Sequence, residues 1–143
     1  MRVITGIALL AAVLAAQPKR PRILGVASMA LWVSDLDKAR GFYKDFLGFA
    51  EPRSGLIQIN DHQYVELHAG LKPEQDRLHH IALYTDDVAA LRAYLAARGV
   101  SVPERVVTGR FSVRDPQGRA VEFIQYARAP GSTLPEAQSG PSS

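Results

Sequence analysis

The chain has 143 residues, 47% of them apolar, with 17 basic and 14 acidic side chains and no cysteine. That length suits one domain with a core of its own, and the lack of cysteine excludes disulfides, thiolate metal sites, iron–sulfur clusters and cysteine nucleophiles. Without Arg2, Lys19, Arg20 and Arg22, 13 basic residues face 14 acidic ones, so the basic surface that a nucleic-acid binder carries on its folded domain is not expected.

The first element is not a folding unit. "MRVITGIALLAAVLAAQP" has a positive start at Arg2, an apolar run from Val3 to Ala16 and small residues at its end, as in a secretion signal. We expect residues 1–23 to be a signal or targeting segment and the protein to be exported to a periplasm or beyond. Lys19, Arg20 and Arg22 resist translocation, and if the segment is not a signal the chain stays in the cytoplasm.

"ASMALWV" then reads as a short apolar strand, and Ser34 or Asp35 offers a side-chain oxygen to start a helix. Leu36, Ala39, Tyr43 and Phe46-Leu47 fall on one face of that helix, and Gly48 supplies the positive φ that ends it. "LIQIN" and "QYVELHA" alternate as strands, although residues 53–60 leave little room for a full hairpin before them. "HHIALYT" is a further strand, with Thr85 or Asp86 as cap for a helix whose apolar face is Val88, Leu91 and Leu95, closed by Gly99. "VSVP", "RFSVRD" and "RAVEFIQY" follow as strands, the last two joined by the turn "DPQG". Residues 128–143, rich in Pro, Ser and Gly, are expected to be a disordered tail.

The chain repeats itself at an offset of 52 residues. Ser28 meets His80, Met29 meets Ile81, Ala30 meets Ala82, Leu31 meets Leu83, Trp32 meets Tyr84, and Arg40 meets Arg92. Two β-α-β-β-β units, about 24–69 and 78–127, therefore make one α+β domain over 24–127. Neither unit can bury its sheet alone. Paired, they form a curved mixed sheet, a cup with helices on the convex side and residues of both units on the concave face.

Four positions in that cup stand out. Ser28 and His80 head the first strands of the two units. Glu66 and Glu122 sit in apolar last strands, 56 residues apart. A carboxylate facing the cup needs a cation or hydrogen-bond donors. Imidazole with carboxylates suits a divalent ion such as Zn, Ni, Mn or Fe, so Glu66, His80 and Glu122 are the candidate metal ligands.

"SMALWVSDLDKARGFYKDFLGF", "HHIALYTDD" and "RDPQGRAVEFIQY" together resemble the vicinal oxygen chelate superfamily of glyoxalase I, extradiol dioxygenases and bleomycin- and fosfomycin-resistance proteins. The resemblance implies paired β-α-β-β-β modules and a metal that meets adjacent oxygens of a substrate. It carries a ligand role to His80, Glu122 and Glu66. Ser28 stands where the resemblance expects histidine or glutamine, and serine is a poor neutral ligand. Three ligands and a water still make an open site, with His68 or His79 as substitutes for the missing fourth.

Three functions compete. The first is a metal-dependent lyase or isomerase of glyoxalase type, with Glu122 or Glu66 as the proton-shuttling catalytic residue. The second is a metal-free, resistance-type module that holds a small molecule in a pocket made by Ser28, Trp32, Tyr84 and His68. Core packing is the competing role for Trp32 and Tyr84. The third is an extradiol-dioxygenase-like oxidoreductase, disfavoured because that chemistry takes two histidines and one carboxylate. A small-molecule ligand and a homodimer are the expected partners. Residues of about 22 to 128 should fold without the flanking segments. Native-like far-ultraviolet circular dichroism and cooperative melting check this, and an unfolded spectrum would mean that the domain limits are wrong.

Overall fold

The structure is a computed structural model that describes residues 18–127. Most of the expected signal segment and all of the expected tail lie outside the described residues. Among those described, no helix is long and apolar enough to cross a membrane.

The two apolar repeat strands become the central pair of one sheet. The order along the chain is β1 (Ile23–Val33), α1 (Leu36–Gly41) running into a π-helical turn (Phe42–Phe46), β2 (Ala50–Arg53), β3 (Leu56–Gln58), β4 (Tyr64–Ala69), β5 (Leu78–Thr85), α2 (Val88–Ala97), β6 (Arg110–Arg114) and β7 (Ala120–Gln125). The strands form one mixed seven-stranded sheet in the order β2-β3-β4-β1-β5-β7-β6. β4 lies parallel to β1, β7 lies parallel to β5, and β1 and β5 join the halves antiparallel. This is the α+β fold of paired modules that the repeat implies. The register keeps the repeat's symmetry: Ser28 pairs with Ala82, and their repeat images His80 and Ala30 pair with each other.

Local chemistry sets the helices. Asp35 caps α1 by accepting from the Lys38 N–H, and Asp87 caps α2 by accepting from the Ala90 N–H. The cap of α2 is thus Asp87, one residue after Asp86 and two after Thr85. The Asp86 carboxylate is held by the backbone and side chain of Arg22, and the Thr85 hydroxyl donates to the Arg22 carbonyl. Val88 and Leu91 of α2 pack on Phe111 and Phe123, with Leu83, Leu95 and Val121 around them, so the second helix buries the face expected of it. Gly48 and Gly99 have φ of +75° and +79° and end the two helical segments.

Three expectations change. Phe46 and Leu47 are exposed, not packed. The π-helical turn, closed by Leu47 N–H donating to the Phe42 carbonyl, adds a residue to the turn and rotates them off the apolar face. "VSVP" forms no strand, since Pro103 has no N–H and its carbonyl is taken by Arg92. A full hairpin does fit after α1. β2 and β3 are joined by the two-residue turn Ser54-Gly55, where Gly55 has φ +77° and an added Cβ would sit 2.7 Å from the Leu67 carbonyl oxygen.

Glu51 ties this hairpin to the helix. Its side chain, 4% exposed, accepts from Arg40 Nε at 2.6 Å and from the Gly55 N–H at 3.0 Å, and pairs with Lys44 Nζ at 3.0 Å. The Arg40 bond, with the Gly55 and Lys44 contacts, holds the carboxyl down to about 2, against an ordinary 4.5. A depressed carboxyl pKa gives stability that is present above the unfolded value and lost as pH falls through the folded one. Glu51→Gln should therefore lower the melting temperature most above pH 4.5, and the gap from wild type should close toward about pH 2. Melting curves across that range check this, and a gap independent of pH would mean that the carboxylate's charge is not what clamps the hairpin.

Candidate functional site on the concave face

Directly paired strand residues share a face of a sheet, so the register alone places the site. Glu66, Ala30, His80 and Ala120 form one row across β4, β1, β5 and β7; Tyr64, Ser28, Ala82 and Glu122 form the next. All four expected site positions thus reach the same face, opposite the one that α2 covers. The floor between them is small and buried: Ser28, Ala30 and Ala82.

The polar groups settle into two pairs. In the first module the Ser28 hydroxyl donates to Glu66 Oε1 at 3.1 Å, and His68 Nε2 lies 3.4 Å from Glu66 Oε2. In the second, His80 Nε2 lies 3.4 Å from Glu122 Oε2, and the Arg110 guanidinium donates to Glu122 Oε1 at 3.0 Å. Glu122 holds the His80 imidazole above its ordinary pKa, and His80, with Arg110, holds the Glu122 carboxyl below its own. At 3.4 Å this is an ion pair longer than a hydrogen bond, and His80 Nε2 is buried without a hydrogen-bond partner among the described residues.

His79 belongs to the same face, although residues alternate along a strand. Ala30 pairs with His80 and Leu31 with Leu78, so His79 is the extra residue of a β-bulge. Its ring stacks on Trp32 and on His68, with centroids 4.5 Å away in each case, and its Nδ1 meets His80 Nδ1 at 2.8 Å. Burial, then the neighbouring His68 and His80, keeps the His79 imidazole below its usual pKa.

The side chains as they stand do not fit a divalent cation. Among the described residues, no three His, Asp or Glu side chains gather about one point as ligands. Each candidate carboxylate is already turned to donors of the chain itself, Glu66 to Ser28 and Glu122 to Arg110. A guanidinium in contact with Glu122 also repels a second cation there. Ser28, expected in the pocket wall, is 3% exposed and lies beneath Glu66. Trp32 and His68 do share the concave face, in the stack with His79. Tyr84 lines a cleft of about 280 Å³ farther along it, with Leu24, Val26 and His62.

The family description glyoxalase/bleomycin resistance protein/dioxygenase superfamily matches residues 25–123. The chain belongs to this superfamily. Among solved structures, this superfamily member resembles methylmalonyl-CoA epimerase from Mycobacterium tuberculosis, with TM-score 0.57 and 21% identity over 74% of this chain and 90% of that one. The epimerase from Streptomyces coelicolor matches with TM-score 0.58 and 21% identity, over 75% of this chain and all of that one. At that identity the likeness is one of fold. A variant of homoprotocatechuate 2,3-dioxygenase from Brevibacterium fuscum matches with TM-score 0.59 and 27% identity over 79% of this chain. That match spans 35% of the dioxygenase. No curated protein sequence matches the chain.

His79 stands among the sequence expectations only as a substitute ligand, and Arg110 is not among them. The bulge that turns His79 inward leaves no mark in the sequence. Arg110 was within reach: the turn at 115–118 sets Arg114 against Ala120, hence Ser112 against Glu122 and Arg110 against Ile124, on the glutamate's face.

The His80–Glu122 pair fixes a pH window. The raised imidazole contributes stability that is full below its ordinary 6.5 and is lost as pH rises through the folded value. The lowered carboxyl contributes stability present above its ordinary 4.5 and lost as pH falls through the folded value. Glu122→Gln should move the His80 titration midpoint down, since the Glu122 carboxylate is the main group that raises it. Proton NMR of the imidazole checks this, and an unmoved midpoint would show that the two groups are not coupled.

Proposed function

We propose that this superfamily member is a small-molecule-binding domain that uses the concave face without a divalent metal. The observation that carries the reading is the Ser28 hydroxyl on Glu66. At the position whose repeat image is His80, the chain places a donor that satisfies the carboxylate, where a metal site needs a ligand that leaves it free. With Arg110 on Glu122, each carboxylate already has a donor inside the chain, so what the face offers to a ligand is aromatic and cationic groups: Trp32, Tyr84, His79 and Arg110. Any turnover would be of lyase or isomerase type, with proton transfer at the Glu122–His80 pair or at Glu66. Residues 1–23 as an export signal belong to the same proposal, and mass spectrometry of the mature N-terminus tests that part.

A second reading rests on one atom. His80 Nε2 is buried with no hydrogen-bond partner among the described residues, a state that favours an electron-pair acceptor nearby and hence the metal-dependent lyase or isomerase. Calorimetry decides between the two. In the metal-free reading, protein stripped with chelator binds Zn, Ni, Mn or ferrous iron no tighter than about 1 mM. Ser28→His, which frees Glu66 and adds an imidazole, should bind Zn or Ni at least about tenfold more tightly than wild type. His80→Ala in that background should remove the gain. Micromolar binding by the wild type would overturn the metal-free reading.

A further inference from the structure

The concave face has a second feature that the carboxylate pairs do not use. Two register shifts between β1 and β5, at Ile23/Gly25 and at Val26/Ser28, lift the end of β1 away from regular pairing. They open the cleft of about 280 Å³ lined by Leu24, Gly25, Val26, His62, Gln63 and Tyr84, with Asn60 and Asp61 at the loop beside them. Gly25, at φ +139°, leaves open space where a side chain would stand.

Apart from Asp61 at the rim, the walls are apolar in effect, because their polar groups are largely matched. The Tyr84 hydroxyl donates to the His62 carbonyl at 2.7 Å, the Gln63 side-chain amide donates to the Val26 carbonyl, and the Asn60 side-chain Oδ1 accepts from the His62 and Gln63 N–H groups. What remains for a ligand is hydrocarbon and ring surface: Leu24 and the rings of Tyr84 and His62. Both rings are braced from behind by Tyr126, at 5.3 and 5.6 Å between centroids. Among the described residues the Tyr126 hydroxyl, buried behind them, has no hydrogen-bond partner.

One cation stands in line with this cleft. Gly25 pairs with Tyr84, Tyr84 with Ile124 and Ile124 with Arg110, so the four residues form a single row across the concave face. The Arg110 side chain is 52% exposed and gives one bond to Glu122. A guanidinium has five N–H donors in a rigid fork, so it can take a second carboxylate. Asp61, at the opposite rim, repels an anion and so directs it toward Arg110.

We propose that this cleft seats the apolar body of the ligand and that the ligand is a small organic carboxylate, its anionic end held by Arg110. The inference rests on the metal-free reading of the same face and deepens it by naming the ligand class. An apolar cavity of about 150 Å³ already takes benzene, so the volume here suits one ring or a branched chain of similar size with a short arm. The arm must bridge two strand spacings, roughly 10 Å from Tyr84 to the Arg110 strand, a gap that the long arginine side chain narrows.

The test is a set of amide NMR titrations of the whole protein in chelator, with 3-phenylpropionate, its neutral analogue 3-phenylpropanol, and propionate, which lacks the ring. We expect 3-phenylpropionate to shift the Gly25, Val26, His62 and Gln63 signals with a Kd of about 1 mM or tighter. The alcohol and propionate should each bind at least about tenfold more weakly. Arg110→Gln should reduce 3-phenylpropionate to the level of the alcohol while leaving the alcohol unchanged. Leu24→Trp, which fills the cleft, should abolish binding of both. Equal binding of acid and alcohol would overturn the assignment of an anion. Shifts confined to Trp32, His79 and His80, or none up to about 50 mM, would overturn the cleft as the seat. Chelator separates this outcome from the metal question: metal binding by wild-type protein in calorimetry would remove the metal-free reading whatever the cleft does.

Discussion

The antiparallel contact of β1 with β5 is the constraint on which this molecule depends. Each half of the sheet has only three or four strands and one helical segment. Three strands with one apolar face are close to the minimum for independent stability. Joined through β1 and β5, they become one seven-stranded sheet whose two centre strands are the repeat's own equivalent segments. The contact also makes the site. Glu66 reaches it from β4 through β1, and Glu122 reaches it from β7 through β5. No residue of the first module would face His80 without that pairing.

The joint is irregular, and its irregularities are where the concave face acquires its character. A bulge at one end turns His79 inward onto Trp32 and His68. Register shifts at the other end open the cleft beside Tyr84. Between them the pairing is regular and the floor is alanine and serine, too small to fill the space above. Bulges re-aim side chains at the cost of ladder bonds. Here both sit on the seam between modules, where each strand has a partner on its other side to hold it.

Much of this was legible in the sequence. The repeat gave the module pairing, the shared face of Ser28, His80, Glu66 and Glu122, and both closing glycines, because strand period and offset are carried by residue type. What failed was local. The π-helical turn that exposes Phe46 and Leu47 depends on one backbone bond from Leu47 to Phe42 rather than on any side chain. The β2–β3 hairpin was discounted on length, although Ser54-Gly55 is a turn that needs only two residues. Ligand roles carried over by resemblance met a different limit. Residue identity at Glu66 and Glu122 does not say which donors those carboxylates will face, and Ser28 and Arg110 reach them first.

The serine–histidine difference across the seam has a consequence for whatever enters the cup. Two identical modules around a two-fold axis would present the same wall from either side, and a ligand would have two equivalent poses. Here one side offers a neutral hydroxyl bound to a carboxylate, and the other an imidazole beside a carboxylate and a guanidinium. The face is polar across its own symmetry axis. It therefore distinguishes a ligand's head from its tail, and a prochiral centre held over the alanine floor would show the imidazole one face only.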